Sequence, residues 1–191
     1  VGGGGVVEAD AGAHSESVAI EVDLVDAAVS DSELDVEARA TGIEAGTGHD
    51  RVASAGAVRA LADATSDDVG VTATFVDATL AEGRGSDVST TVHAITKGID
   101  GGRGKDTVDI AATGSVFSQA TSDLDSLGVS LASEGVPGAT ATLFREGGLA
   151  DIGLTSESDA WGVVTGPGQD RVQLGGDVTS RATSSARQDS I

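Results

Sequence analysis

The sequence predicts an all-β fold, a repetitive β-solenoid of the β-roll or parallel β-helix kind. Three observations predict it. First, acidic residues keep a beat: Asp31, Asp50, Asp68, Asp87, Asp106 and Asp125 are spaced 19, 18, 19, 19 and 19, and after a longer gap Asp151, Asp170 and Asp189 are spaced 19 and 19. A short fixed period means one unit stacked on copies of itself. Second, stretches such as Val18–Leu24 (VAIEVDL) and Asp87–Ala94 (DVSTTVHA) alternate with period two and are rich in β-branched residues. Third, the 191 residues include 28 Gly, only four aromatics (Phe75, Phe117, Phe144, Trp161) and no Cys, Met or Tyr. Val, Ala, Leu and Ile must therefore form the interior, and such small side chains suit a narrow lumen.

Cut at the beat, the chain writes itself as rows of 18–19 residues in three recurring classes. One class carries Gly-Ile or Gly-Val before a Gly-rich turn (Gly42-Ile43, Gly98-Ile99, Gly162-Val163). The next opens with Asp-x-Val (Asp50–Val52, Asp106–Val108, Asp170–Val172). The third is VGVTATF at Val69 or LGVSLAS at Leu127. A three-row cassette thus repeats from Gly42 to Gly98, 56 residues, and from Gly98 to Gly162, 64 residues. The 8 extra residues fit an insertion at 134–141 (EGVPGATA), read as a loop from its Gly and Pro. The chain reads as one repetitive domain, 1–191: a partial cassette 1–41, cassettes 42–97 and 98–161, and a partial cassette 162–191.

The ends follow the same grammar. Val1 aligns with Val52, which puts Val7 on Val58, Ala9 on Ala60, Ser15 on Ser66 and Val25-Asp26-Ala27 on Val76-Asp77-Ala78. Ser190-Ile191 matches Ser126-Leu127. The expectation is a piece of a longer array, or a processed subunit of one. Rows end in turn formers, so turns are expected at Thr65–Asp67 and Thr121–Asp123. Ala57–Ala64 (AVRALADA) resembles a helical turn, but its sister rows look extended, so a strand is expected there too. Two geometries fit. Either one row makes one rung, or three rows make one rung of about 56 residues. Under either, Val52, Val108 and Val172 point inward, and strand edges left open at the ends favour self-association or contact with neighbouring repeats.

The net charge is −20, with 11 Lys and Arg against 31 Asp and Glu. Such repulsion opposes both nucleic acid and an anionic membrane surface, and it calls for cations or salt. No apolar run approaches the roughly 18 residues needed to span a bilayer, so no membrane insertion is expected. Without cysteine there is no disulfide frame and no thiolate chemistry.

Gly101–Asp109 (GGRGKDTVD) fits the nonapeptide G-G-x-G-x-D-x-U-x. Ala45–Ala53 (AGTGHDRVA) and Thr165–Gln173 (TGPGQDRVQ) keep all but the first Gly, and Glu82–Ser89 (EGRGSDVS) keeps Gly-x-Gly-x-Asp. These windows resemble the RTX-type calcium-binding repeats. That resemblance implies a β-roll with Ca²⁺ held at Gly102, Gly104, Asp106, Gly46, Gly48, Asp50, Gly166, Gly168, Asp170 and Asp87. RTX nonapeptides run in tandem, whereas most rows here carry one such turn. The 19-residue period with Gly-Ile and Gly-Val also resembles the parallel β-helix of filamentous-haemagglutinin-like adhesins.

Other motifs lack support. Gly104-Lys105 has neither the first Gly nor the Ser/Thr of a phosphate loop. His14, His49 and His93 show no ligand spacing, and no Gly-x-Ser-x-Gly elbow is present. Pairs such as Asp67/Asp68 and Glu157/Asp159 are expected of an acidic surface. Trp161 and Phe144 read as fillers of a wide rung or caps on the interior. The chain is therefore expected not to be an enzyme. It reads as a structural repeat segment of a secreted or cell-surface filament, surface layer or adhesin, stabilised by Ca²⁺. The alternative is a carbohydrate-binding or carbohydrate-acting β-helix, favoured if carboxylates and aromatics share one exposed face. An ice-binding solenoid needs a recurring Thr array, which the sequence lacks.

Overall fold

The chain is all-β, with parallel strands arranged in stacked sheets. A computed structural model describes residues 5–24, 32–76, 86–134 and 150–190. Val25–Ala27, Phe144 and all but Glu134 of the expected insertion lie outside the described residues. The strands are β1 (Val6–Leu24), β2 (Ser32–Glu44), β3 (Thr47–Gly48), β4 (Arg51–Ser54), β5 (Ala57–Val76), β6 (Ser86–Asp100), β7 (Arg103–Gly104), β8 (Thr107–Ile110), β9 (Ser115–Glu134), β10 (Ala150–Val164), β11 (Arg171–Leu174) and β12 (Asp177–Ser190). Sheet A is ordered β1-β5-β9-β12, sheet B β10-β6-β2 and sheet D β11-β8-β4, while the short sheet C pairs β3 with β7. The chain visits A, B, C and D in turn, then returns to A.

Pairing distance decides between the two geometries. Val6 pairs with Ala57, Ser32 with Val88 and Ser115 with Asp177. Bonds between neighbouring strands join residues 51 apart (Ser17–Asp68), 56 apart (Asp50–Asp106), 62 apart (Ser118–Ser180) and 64 apart (Asp106–Asp170). No described strand pairs with another one row away. Three rows therefore make one circuit, and one row as one rung is corrected. This register sets Val108 between Val52 and Val172, like on like.

The N-terminal alignment holds, with Val7 on Val58, Ala9 on Ala60 and Ser15 on Ser66. The C-terminal one slips by two, because Asp189, not Ile191, pairs with Leu127. Its cause is local. Four residues, Ala111–Gly114, join β8 to β9, where Ala55-Gly56 and Gly175-Gly176 suffice in the other circuits.

The expected turns at Thr65–Asp67 and Thr121–Asp123 are absent: β5 and β9 run straight through them as strands of 20 residues. Alternation explains this. Val58, Ala60, Ala62, Ala64, Ser66 and Asp68 are all buried, so the inward face continues without a break. The hydroxyls of Ser17, Ser66 and Ser122 find partners, whereas Thr96 Oγ1 and the second oxygen of Asp68 have none among the described residues. Ser17 and Ser66 donate to Asp68 Oδ1 at 2.6 and 3.1 Å, and Ser122 Oγ lies 2.8 Å from Ser156 Oγ. Polar residues that would stop a solvated strand are thus accommodated inside.

Two apolar clusters fill the interior. Alanines dominate the first, between sheets A and B, with Ala38, Ala60, Ala64, Ala94 and Ala120 around Val92 and Leu124. Val58, Ile99, Val108, Ile110 and Val116 form the second, against sheet D. Methyl-sized side chains let two sheets approach closely. Phe117 and Trp161 do not fill the interior. Phe117 lies on the outer face with the Arg59 guanidinium 5.9 Å from its ring centroid, and Trp161 is 42% exposed. Their positions in the alternation, one residue off the buried set, put both outside.

Burial along one column depends on its place in the stack. Val108 is 0% exposed but Val172 is 43% exposed, because β11 ends sheet D. The expectation that all three valines are buried fails at Val172, while their shared register holds. Val108→Ala is expected to cost about 2 kcal/mol and Val172→Ala less than about 1, the difference being the cavity that only the covered site leaves. Urea unfolding of the two variants checks this.

Candidate functional site

The candidate site is the column built from the three Gly-x-Gly-x-Asp turns. Gly46–Asp50 follows β2, Gly102–Asp106 follows β6 and Gly166–Asp170 follows β10. Strand pairing on both sides forces the turns into stack: Thr47 pairs with Arg103, Gly48 with Gly104, and Gly104 bridges to Gly168. The amides of Arg103 and Lys105 donate to the carbonyls of Gly46 and Gly48 at 2.9 and 3.2 Å.

Glycine is required at this contact. Gly102 and Gly104 have φ of 82° and 147°, in the region side chains avoid. A Cβ on Gly104 would also collide with the Gly48 carbonyl, and one on Gly102 with the Gly46 carbonyl. Gly12, in contrast, has nothing within 4 Å of the corresponding position.

The aspartates form a hydrogen-bonded ladder. Asp50 N donates to Asp106 Oδ1 at 3.0 Å, and Asp106 N donates to Asp170 Oδ1 at 2.9 Å. In return, Thr107 N donates to Asp50 O at 2.8 Å and Arg171 N to Asp106 O at 2.9 Å. The carboxylates of Asp106 and Asp170 thus each tie their circuit to the one before with one oxygen. The second oxygen of Asp50 and of Asp106 is buried with no hydrogen-bond partner among the described residues, and Asp106 is only 2% exposed. Buried charge without a partner is costly, so these two oxygens are the chemically conspicuous atoms of the column.

Nine of the ten sequence-predicted residues therefore meet in one column. Asp87 does not. Its backbone lies in β6, paired with Asp151 in sheet B, and its side chain lies outside the described residues.

Two clusters went unnoticed in the sequence. On the outer face of sheet B, His93 Nε2 lies 3.3 Å from Asp159 Oδ2, with Glu157 beside them. At the exposed end of sheet A, His14 joins Glu16 and Asp67. The 64-residue cassette offset already sets His93 on Glu157, so the first was within reach of the alignment. Trp161 completes the outer face of β10 with Glu157 and Asp159. Among the described residues, no helix is long and apolar enough to cross a membrane.

Comparison with protein-family models, curated proteins and solved structures gave no match. The functional reading rests on this geometry alone.

Gly104→Ala is expected to destabilise the chain by at least about 2 kcal/mol, from strain and from the lost turn-to-turn contact. Gly12→Ala should stabilise slightly or do nothing. Thermal or urea unfolding of both variants against the parent measures the difference.

Proposed function

We propose that the chain is a β-solenoid with a three-row coil, serving as a structural repeat segment of a secreted or cell-surface filament, surface layer or adhesin. Ca²⁺ stiffens it, and its role is mechanical rather than catalytic. The observation that carries this reading is the aspartate column. Three equivalent turns, 56 and 64 residues apart, stack with the same side chain in the same place. A stack of this kind transmits load along its axis through backbone hydrogen bonds and has no need of a concave site.

The cation part rests on the orphaned oxygens. Asp50 Oδ2 and Asp106 Oδ2 offer a donor set of oxygen only, which suits a hard cation such as Ca²⁺. Gly46 and Gly48 carbonyls already accept amides, so the chain supplies fewer free carbonyls than a tandem RTX ladder would. Isolated sites in the column follow, rather than a continuous ion row. A cation there also offsets part of the −20 charge that opposes compaction. Extracellular Ca²⁺ levels suit weak sites of this kind.

Calorimetric titration with Ca²⁺ tests the reading. Asp106→Ala should weaken binding at least tenfold, whereas Asp159→Ala should leave it within about twofold. Asp106→Asn keeps an acceptor for the Asp50 amide and removes the charge, so it should lose Ca²⁺ affinity while keeping its melting temperature in EDTA. Equal and negligible effects of all three would leave only an acidic, salt-adapted surface.

A second reading has one observation in its favour. Glu157, Asp159 and Trp161 share the outer face of β10, with His93 adjacent on β6. An aromatic ring beside carboxylates can stack on a sugar and bond its hydroxyls. Trp161 is the sole tryptophan, so its emission reports directly. The structural reading predicts no change on titration with oligosaccharides. A saturable change lost in Asp159→Ala would favour carbohydrate binding instead.

A further inference from the structure

At two positions the ends of sheet A carry opposite charge in matching register, while Asp177 and Asp189 on the same face of β12 balance its two arginines and fall in the columns of Val6 and Val18. Pairing through the sheet defines columns: Asp10, Leu61, Gln119 and Arg181 form one, and Glu16, Asp67, Asp125 and Arg187 another. Asp10 and Glu16 lie on β1, the first strand of the sheet, and Arg181 and Arg187 on β12, the last. All four side chains are exposed. Among the described residues, nothing pairs with the outer edge of either strand.

From this complementarity we infer that β12 pairs in parallel with β1 of a second copy of this chain, in the register already used inside sheet A. This names the partner of the structural reading above and rests on it. Continuing the columns by one strand sets Asp10 of the second copy beside Arg181, and Glu16 beside Arg187. On the inner face Val7 meets Val178 and Ala11 meets Ala182, the same small apolar pairs that line the column within one chain. Opposite charges directly across paired strands are favourable, and like charges are not. Arg187 therefore stands where a fourth carboxylate would otherwise stack on Asp125, and Arg181 where a second would join the column of Asp10.

The joint is polar: the β12 end of one copy takes the β1 end of the next. Such a contact does not close on itself, so it propagates as a filament. Among the described residues sheet A has four strands and sheets B and D three each, so the second copy's β2 does not reach β10. Sheet A alone carries the joint, which makes it weaker than the contact between circuits of one chain. The net charge of −20 opposes it at low ionic strength, and salt near 0.15 M screens that repulsion over about 8 Å while leaving adjacent pairs in force.

Sedimentation velocity of the full chain in about 0.15 M salt, over a concentration series, tests this. The expected result is concentration-dependent growth into linear oligomers. Asp10→Arg with Glu16→Arg should weaken association at least tenfold. This pair is safe for folding, because Glu16→Arg replaces a carboxylate beside Asp67 with a partner for it. Adding Arg181→Glu and Arg187→Glu to the same chain should restore association by exchanging the charges. A chain that stays monomeric at every concentration, or that associates equally well as the Asp10→Arg, Glu16→Arg double variant, overturns the inference. A monomer whose melting still responds to Ca²⁺ would overturn this joint and leave the structural reading standing.

Discussion

Backbone groups in a parallel stack are satisfied only by the next strand, and this sets the terms for everything else in the chain. An inward residue must tolerate the residue above and below it in its column. A slip of one position would turn Val58, Ala60, Ala62 and Ala64 to solvent and bring Arg59 and Asp63 inside. Like therefore stacks on like. Valine sits on valine at 52, 108 and 172, glycine on glycine at 48, 104 and 168, and aspartate on aspartate at 50, 106 and 170. The aspartate column adds a second tie between circuits, since the carboxylates of Asp106 and Asp170 take the amides of Asp50 and Asp106, which the bend of the turn leaves without a strand partner.

Much of this was legible from residues alone. The Asp-x-Val triplets and the Gly-Ile and Gly-Val pairs mark column positions, and the cassette lengths of 56 and 64 reappear as bond spacings. They are legible because a turn that must hold two glycines and an aspartate has few substitutes. The alignment of the first strand was legible for a similar reason, as Val7, Ala9 and Ser15 face a lumen that accepts little else.

What was not legible follows from chemistry shared between inside and outside. Thr-Ser-Asp reads as a turn because these residues bond to local backbone in solvent. In β5 Ser66 and the neighbouring strand's Ser17 bond the inward Asp68, in β9 Ser122 bonds across to Ser156 and Ser158 of sheet B, and the strands continue. The two extra residues of Ala111–Gly114 move the pairings of β9 to 58 and 62 residues and leave those of β10 and β11 at 64, yet small residues in a short link carry no marker of their number. The acidic beat itself misled in one respect. Successive beats fall in different parts of the circuit; Asp50, Asp106 and Asp170 stack, as do Asp87 and Asp151, whereas Asp68, Asp125 and Asp189 pair with Ser126, Arg187 and Leu127. The tandem RTX pattern suggested the shorter period because its glycine turns look alike, although here the turn recurs once per circuit.

Alanine in the lumen and charge on the outside are two sides of one solution. Small inward side chains bring the sheets together but bury little area each, about 0.8 kcal/mol per methylene-sized group. Stability must then come from repetition, as each circuit covers the one before. The exposed Val172 and Leu174 on β11 mark where that covering stops.

The central claim is that circuits of three rows, not single rows, lie adjacent. Cross-linking of engineered thiols tests it directly, because the chain has no cysteine of its own. Asp63→Cys with Thr121→Cys places the thiols on register partners, and Glu44→Cys with Asp63→Cys places them one row, 19 residues, apart. A short thiol-reactive linker should bridge the first pair rapidly and quantitatively, since paired strands lie about 4.8 Å apart, and should leave the second unbridged. Efficient bridging of the 19-residue pair with none between Asp63 and Thr121 would contradict the account.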